Sequence, residues 1–302
     1  MPTMLSSQEL GLLYWLGREY WSGGGAIVDA GCFLGGSTIA LASGVREAGR
    51  NADGSSPITV YDRFLVEDYS LASGFFEDAP ELGVDDDFLA LFERNVAGVR
   101  DLLDVRPGDI LQQRWDGGPI EILFLDLLKT WSINDYVVRE FWPQLIPGRA
   151  MIVQQDYQYG GYPWLAITME LLHEYFERLD EMPWGTVVFR LRAPLPDLHG
   201  MSLSRDLPMR DKLELMDRAV NRETQPAGRA MLRLSRALLV WYLGRWRAGE
   251  AEVQAVMREH GDDPSVMLAC RRFLSSPMAP SENERERLHH DPCARALTSL
   301  VV

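Results

Sequence analysis

Residues 28–38, VDAGCFLGGST, place an acid, three glycines and two hydroxyls directly after an apolar run. Glycine lets the backbone turn sharply and approach a ligand, and the first turn of a helix offers free N–H groups to it. Such a loop is typical of nucleotide-like ligand sites at the carboxyl ends of parallel strands, although a turn without a ligand is the alternative. The spacing G-x-x-x-G-G matches neither the dinucleotide motif nor the P-loop, which argues against NAD and ATP.

A second set of candidate residues consists of Asp126, Lys129 and Asp156. The two acids close the apolar runs IEILFLD and AMIVQQD, and the lysine follows the first run. Carboxylates and a lysine at neighbouring strand ends can take up a proton, and a lysine can also bind an anionic group. The alternative is that Lys129 only forms an ion pair with Asp126 or Asp156.

Alternating strand and helix patterns up to about residue 195 must position these groups. Strand–helix–strand units form parallel sheets, and the nearly continuous apolar run at 120–126 indicates a central strand covered on both faces. We therefore expect an α/β fold with a doubly wound, mostly parallel sheet, in which an antiparallel last strand is possible. The predicted strands are 26–30, 58–62, a short one within 106–115, 120–126, 150–156 and 186–192, and the predicted helices are 5–20, 37–48, 87–99, 133–145 and 164–179.

Only helical patterns follow from about residue 205, with no clear 34-residue repeat. We predict a domain over residues 1–200 and a C-terminal helical region over residues 201–302. Trp241, Tyr242 and Trp246 are many aromatic residues for one helix, and we expect them to pack onto the core, with a homodimer interface as the alternative. The predicted helices are 210–220, 230–247, 250–261 and 263–276.

The composition limits the partners and the compartment. Acidic residues number 44 and basic residues 30, so the net charge of −14 disfavours nucleic acid. No apolar run approaches the roughly 20 residues of a membrane span, and no secretory signal pattern is present, so we expect a cytoplasmic protein without a membrane partner. The three cysteines, Cys32, Cys270 and Cys293, are widely spaced, which argues against a disulfide framework or a zinc site.

The glycine-rich stretch AIVDAGCFLGGSTIALA resembles motif I of class I methyltransferases that depend on S-adenosyl-L-methionine (SAM). More narrowly, it resembles the EIGT-x-GGST form of the macrocin O-methyltransferase and cephalosporin-hydroxylase-like branch. The segments ITVYDRF, RPGDILQ, IEILFLDLLKTW and LIPGRAMIVQQDY follow in the order of that branch. The resemblance covers residues 10–195 approximately and implies a Rossmann-like fold of the class I methyltransferase type with SAM as the cofactor. The C-terminal helices have no counterpart in it.

The resemblance also implies roles for single residues. Asp62 would bind the ribose hydroxyls and Asp109 or its neighbours would meet the adenine, while the alternative for each acid is a cap or a surface charge. The residues expected at the amino acid end of SAM are Asp29, Gly31, Gly35 and Ser37.

Metal-dependent members of this branch use carboxylates after the two strands that here end near Asp126 and Asp156. A divalent cation such as Mg²⁺ prefers such oxygen ligands. In this sequence Leu128 replaces the second acid of the D-G-D element, and Gln155 replaces the first of the paired acids. We therefore expect no bound metal. The resembled turn PGG is PGR here, with Arg149 as its last residue.

The function that these patterns imply is SAM-dependent methylation of an oxygen atom on a small molecule, such as a sugar or a natural-product scaffold. Asp126, Lys129 and Asp156 would take the proton and hold the acceptor. One alternative is a protein that keeps SAM or its product but has lost the chemistry, and another is a different transferase or hydroxylase-like enzyme on this fold. The acidic, aromatic residues 63–87 are either a lid over the site or a solvated loop.

Overall fold

The computed structural model describes residues 2–50, 56–181 and 185–275. The chain forms two compact units, and the second takes two segments from the first 200 residues besides the C-terminal helices. The first unit contains Met1–Leu128, Tyr136–Gln155 and Tyr175–Pro196. The second unit contains Lys129–Asp135, Asp156–Glu174 and Asp197–Val302.

Within the described residues, one sheet of seven strands forms the centre of the first unit, in the order β3-β2-β1-β4-β5-β7-β6. Strands β1 to β5 run parallel to one another, and β7 pairs antiparallel with both β5 and β6. The prediction of a doubly wound, mostly parallel sheet of the class I methyltransferase type is therefore confirmed. The strands are β1 Ala26–Ala30, β2 Ile58–Asp62, β3 Leu103–Pro107, β4 Ile120–Leu125, β5 Met151–Gln154, β6 Phe176–Glu181 and β7 Val187–Leu191.

Helices before residue 175 connect these strands. The predicted helix over 5–20 is an α-helix that begins with a capping box of Ser6 and Glu9 and continues as a π-helical turn, Leu16–Tyr20. Gly49, with φ +63°, is the C-cap of the second helix, which ends at residue 48 as predicted. The bounds are α1 Ser7–Trp15, α2 Gly36–Ala48, α3 Asp68–Ala72, α4 Leu89–Asn95, α5 Trp131–Glu140 and α6 Pro163–Leu171.

Three element predictions need correction. The helix predicted over 164–179 ends at Leu171, and the residues of β6 instead pair with β7, because hydrogen bonding at a sheet edge overrides a helical apolar pattern. The strand predicted within 106–115 lies earlier, at β3, and a 3₁₀ turn follows it. The helix predicted over 133–145 ends at Glu140, before a 3₁₀ turn that contains Pro143.

Among the described residues after Pro196, four helices confirm the predicted helical C-terminal region. The helix predicted over 230–247 is interrupted at Gly244, which has φ +70°. The Trp241 ring packs at a tilt against the rings of Phe273 and Trp246, at centroid distances of 4.5 Å and 5.6 Å, and belongs to the buried core cluster of these helices. Trp246 itself is exposed. These helices are α7 Met209–Arg222, α8 Pro226–Tyr242, α9 Trp246–Glu259 and α10 Pro264–Ser275.

Two further predictions from the sequence, on membrane spans and on the cysteines, can be compared with the described residues. Among them, no helix combines the length and the apolar character that crossing a membrane requires. Cys32 and Cys270 are buried free thiols, and Cys293 lies outside the described residues.

Arg149, the departure from the resembled PGG turn, belongs to a partly buried network at the amino ends of β4 and β5. Its guanidinium donates to the Glu121 carboxylate at 2.6 Å and to the Tyr20 carbonyl at 2.9 Å. Glu121 is fully buried and also accepts hydrogen bonds from the Ser22 N–H and hydroxyl. A buried carboxylate needs such partners, so Arg149 stabilises the sheet at the end opposite to the glycine loop.

Candidate functional site

The carboxyl ends of the five parallel strands are tied together by backbone hydrogen bonds. Each bond runs from the residue that follows one strand to a carbonyl at the end of the neighbouring strand. The donors are the N–H groups of Gly31, Gly108, Asp126 and Gln155, and the N···O distances are 2.8 to 3.1 Å. The structure thus brings the residues after β1, β2, β3, β4 and β5 into one row.

The point where the strand order reverses lies between β1 and β4, and ligands of α/β sheets bind at such points. Gly31 has φ +94°, and a Cβ atom there would come within 2.7 Å of the Asp126 carbonyl carbon. Glycine is therefore required both by the backbone conformation and by the close approach of the next strand.

A small cavity of about 30 Å³ opens at this point. It brings together the glycine loop, the start of α2 and the acid after β4, as the sequence predicts for Gly31, Ser37 and Asp126. Residues 2–5 also line it, and nothing in the sequence indicated that this segment reaches the glycine loop. The lining residues of the loop, of α2 and of the strand end are Gly31, Cys32, Phe33, Gly36, Ser37 and Asp126.

Asp29 lies beneath the glycine loop and is fully buried. Its carboxylate accepts hydrogen bonds from the Ser37 hydroxyl at 3.0 Å and the Thr38 hydroxyl at 2.5 Å. Burial raises the pKa of Asp29 to about 6, the two hydroxyls oppose this shift, and the charge of Asp62 adds to it. In the structure Asp29 therefore fixes the first turn of α2 to β1. Thr38 is a partner that the sequence analysis missed.

Asp62, at the end of β2, accepts hydrogen bonds from the backbone of two separate turns beside the site. Its two carboxylate oxygens accept the N–H groups of Phe33 and Phe64, each at 2.8 Å. Both phenylalanines have positive φ, +49° and +55°, a conformation that costs free energy in a residue other than glycine. Burial raises the pKa of Asp62, and the two N–H donors lower it. The carboxylate thus stabilises two strained turns.

Phe33 connects the glycine loop to the segment that we predict to be a lid. Its ring packs edge-on against Phe75, Phe76 and Phe88, at centroid distances of 5.4 to 5.8 Å. The base of the segment is closed by backbone hydrogen bonds, one of which runs from the Phe88 N–H to the Phe64 carbonyl at 2.8 Å. The segment therefore rests on the loop through aromatic contacts, and its action as a lid stays a prediction.

Two other predicted residues have structural partners. Gly35 has φ +99°, and a Cβ atom there would approach Val96 to 2.8 Å, so this glycine allows α2 to begin against α4. Asp109 accepts a hydrogen bond from the Leu111 N–H at 3.0 Å and caps the turn Ile110–Gln112. Contact of either residue with a cofactor stays a prediction.

Lys129 and Asp156 are in direct contact within the second unit. The Lys129 ammonium lies 2.5 Å from the Asp156 carboxylate and 5.5 Å from the centre of the Tyr162 ring. Asp156 has φ +63°, which is unusual for this residue type. The Lys129 side chain is 40% exposed and that of Asp156 is 19% exposed. The ion pair that the sequence suggested as the alternative role of Lys129 is therefore present.

The residues present do not fit a divalent cation. Leu128 is a buried apolar side chain where the resembled metal-dependent proteins have an acid, and Gln155 is neutral. Asp156 already has an ammonium beside it. In the part of the chain that the structure describes, no three or more histidine, cysteine or acidic side chains lie together as a metal site would need.

Comparisons with known proteins do not assign this chain to a family. No protein-family model matches the chain, and no curated protein matches it. Among solved structures, it is similar to the apo structure of CalS11, described as a TDP-rhamnose 3′-O-methyltransferase of calicheamicin biosynthesis, with 14% identity and a TM-score of 0.40. The similarity covers 61% of this chain and 77% of that chain. A similarity of this degree carries no functional argument.

Proposed function

We propose that this protein is a SAM-dependent methyltransferase that methylates an oxygen atom of a small molecule, such as a sugar or a natural-product scaffold. The observation that carries the proposal is the cavity at the switch point, where Gly31, Ser37 and Asp126 meet. The resemblance of residues 26–42 to motif I of class I methyltransferases supports SAM as the ligand of this loop.

The residues of the loop suit the cofactor. The N–H groups at the start of α2 and the Ser37 hydroxyl would bind the polar amino acid end of SAM, because a helix N-terminus attracts a carboxylate. Asp62 would accept the ribose hydroxyls, since each carboxylate oxygen has a second lone pair beside the one that its backbone N–H uses. When bound, SAM supplies an electrophilic methyl group.

The acids after β4 and β5 would act on the methyl acceptor. Asp126, which lines the cavity, would accept a hydrogen bond or a proton from an acceptor hydroxyl. Lys129 and Asp156 would orient the acceptor. Much of the rate of such a reaction comes from holding the two reactants in the correct geometry.

Calorimetric titration of the purified full chain with SAM and with S-adenosylhomocysteine tests the proposal. We expect dissociation constants in the micromolar range, and a loss of at least about tenfold in affinity for Asp62→Ala, equal to about 1.4 kcal/mol. Asp101→Ala is the matched control, because this exposed acid pairs with Arg46 away from the site and its loss leaves the affinity unchanged. If neither ligand gives heat or thermal stabilisation, the proposal fails.

A second candidate is a protein that binds SAM without turnover. The replacement of two acids by Leu128 and Gln155 favours it, since the site has lost negative charge relative to the resembled enzymes. Incubation with SAM and a panel of hydroxylated sugars and phenols separates the two candidates. Formation of S-adenosylhomocysteine above the rate without acceptor supports the enzyme, and tight SAM binding with no product from any acceptor supports the binding protein.

A further inference from the structure

The side chain of Gln155, the residue that follows β5, contains a buried oxygen that accepts no hydrogen bond from the described residues. This oxygen, the amide Oε1, is shielded from solvent. A buried acceptor without a donor destabilises the folded state, and few such atoms occur in a native protein. Its presence at a ligand-binding edge of the sheet is explained if a ligand supplies the donor.

Gln155 lies beside Asp126 in the row of strand ends. The Gln155 N–H donates to the Leu125 carbonyl at 3.1 Å, and the Asp126 N–H donates to the Ala30 carbonyl at 2.8 Å. The ladder of the parallel strands therefore continues for one residue beyond β4 and β5. Neighbouring strands lie about 4.8 Å apart, so one small ligand can contact both residues.

The two side chains also share one face of the sheet. Gln155 lies two residues after Val153, and Asp126 lies two residues after Phe124. Val153 and Phe124 are paired in the sheet and belong to the same buried cluster. Because side chains alternate between the faces of a strand, Gln155 and Asp126 follow on that face. Asp126 lines the cavity of the glycine loop, and Gln155 lies one strand farther from that loop.

The neighbours of Gln155 in the row explain why its oxygen needs a donor. Thr186 is the neighbour on the far side, because the last residue of β5 pairs with the first residue of β7. Its hydroxyl donates to the Glu9 carboxylate at 2.5 Å. On the near side, an ionised Asp126 carboxylate can only accept hydrogen bonds. A hydroxyl group of a ligand would provide the missing donor.

We propose that Gln155 binds the methyl acceptor, with its amide oxygen accepting a hydrogen bond from a hydroxyl group that is not methylated. This inference rests on the proposed function. The proposed cofactor contacts are at β1 and β2, so the residues after β4 and β5 lie on the acceptor side. Asp126 and Gln155 offer acceptor atoms on neighbouring strands, which suits a neutral compound with two hydroxyl groups close together. Gln155 would therefore determine specificity for such compounds.

A stability measurement separates a binding role of Gln155 from a structural one. Gln155→Met keeps the approximate size of the side chain and removes the buried oxygen. We expect the thermal unfolding midpoint of the full chain, measured by calorimetry, to rise by at least about 2 °C. Gln158→Met is the matched control, because this buried glutamine donates to the Glu223 carboxylate at 2.8 Å, and its loss should lower the midpoint.

Saturation-transfer NMR with catechol and phenol, which differ by one hydroxyl group, tests the ligand class. The full chain is measured with and without S-adenosylhomocysteine. We expect the wild type to bind catechol at least about fivefold more tightly than phenol, and Gln155→Met to lose this preference. Phenol binding should be equal in both proteins. The affinity for SAM, measured by calorimetric titration, should differ by less than about twofold, because the residue lies on the acceptor side.

Three results would overturn the inference. The first is an unchanged or lower unfolding midpoint for Gln155→Met, since the amide would then serve the fold. The second is equal catechol binding by the wild type and this variant, or no catechol binding by the wild type up to about 10 mM. The third is a loss of about tenfold in SAM affinity in the variant, since Gln155 would then contact the cofactor.

Failure of the wild type to bind SAM would count against the proposed function. The unfolding midpoint and the catechol measurement without S-adenosylhomocysteine do not depend on SAM, so they still decide whether Gln155 binds a hydroxyl compound.

Discussion

The Glu121–Arg149 pair and the Lys129–Asp156 pair both place a cation within 2.6 Å of a carboxylate. Both arise where the sequence departs from the pattern it resembles. Glu121 is completely buried and its oxygens also accept two hydrogen bonds from Ser22. The two cations are equally exposed, 40% for Arg149 and for Lys129, and the pairs differ in the carboxylate, since the Asp156 side chain is 19% exposed.

The difference shows that the burial of an ion pair determines whether the pair stabilises the fold or remains accessible to a ligand. A buried carboxylate that has several hydrogen-bond donors around it contributes to folding, and losing its cation leaves a charge without compensation. An exposed pair contributes little to stability, because water screens it, and its charges can reach a ligand. The comparison leads to three predictions about stability.

The largest effect is expected for Arg149→Gly, which restores the glycine of the resembled turn. We expect it to lower the free energy of unfolding by about 3 kcal/mol, because Glu121 stays buried without its cation. Urea unfolding followed by circular dichroism measures the change. The control is the double variant with Glu121→Gln, which removes the uncompensated charge and should recover part of the loss. A loss below about 1 kcal/mol in the single variant would place this pair with exposed ones.

A pH-dependent effect is expected at Asp29, a buried carboxylate that has hydroxyl partners in place of a cation. Its pKa in the folded protein, about 6, lies above the ordinary value of an aspartate, 3.8, so the folded state binds the proton more tightly than the unfolded state does. The Asp29 contribution to stability is therefore greatest below about pH 4 and falls as the pH rises to about 6.

Comparison of the wild type with Asp29→Asn isolates this contribution. Between about pH 4 and pH 6.5 we expect the unfolding free energy of the wild type to decrease by roughly 2–3 kcal/mol relative to that of the variant. Urea unfolding at several pH values gives both curves. Ser37→Ala is a useful control, because it removes one hydroxyl partner that opposes the rise in pKa and should steepen the decrease. Parallel curves for the wild type and Asp29→Asn would contradict the raised pKa.

The smallest effect is expected for Lys129→Met, whose unfolding free energy should differ from the wild type by less than about 1 kcal/mol. The half-exposed pair gives little net stabilisation, so its removal should alter ligand or ion binding without unfolding the protein. Urea unfolding under the conditions used for Arg149→Gly makes the comparison direct. A loss as large as that of Arg149→Gly would show that the Lys129 pair serves the fold.

Most elements of the first unit could be predicted from the sequence, because their patterns are local. The apolar run of β4 is long and continuous, and Gly49 marks the end of α2. The strand β6 could not be predicted in this way. Its residues continue the helical pattern of α6, and only the presence of β7 beside them turns them into an edge strand.

The candidate site was predicted in part. Gly31, Ser37 and Asp126 line one cavity, as the motif and the strand ends indicated. The sequence could not show that residues 2–5 line it too, because contacts between distant segments leave no local pattern. Nor could it show that Asp29 and Asp62 already hold hydroxyl and backbone N–H groups, since hydrogen-bond partners depend on how the loops fold over the strand ends.

The sequence by itself determined the alternation of strands and helices, the glycine loop after β1 and the loss of two acids beside Lys129 and Asp156. These features depend on residue types at short spacing, where periodicity and backbone preference act directly. Only the tertiary structure decided which charges are buried and which are exposed. The free energy of a charge depends on its solvent and on neighbours from distant segments, and so the Glu121 carboxylate beside Arg149 is fully buried whereas the Asp156 carboxylate beside Lys129 is partly exposed.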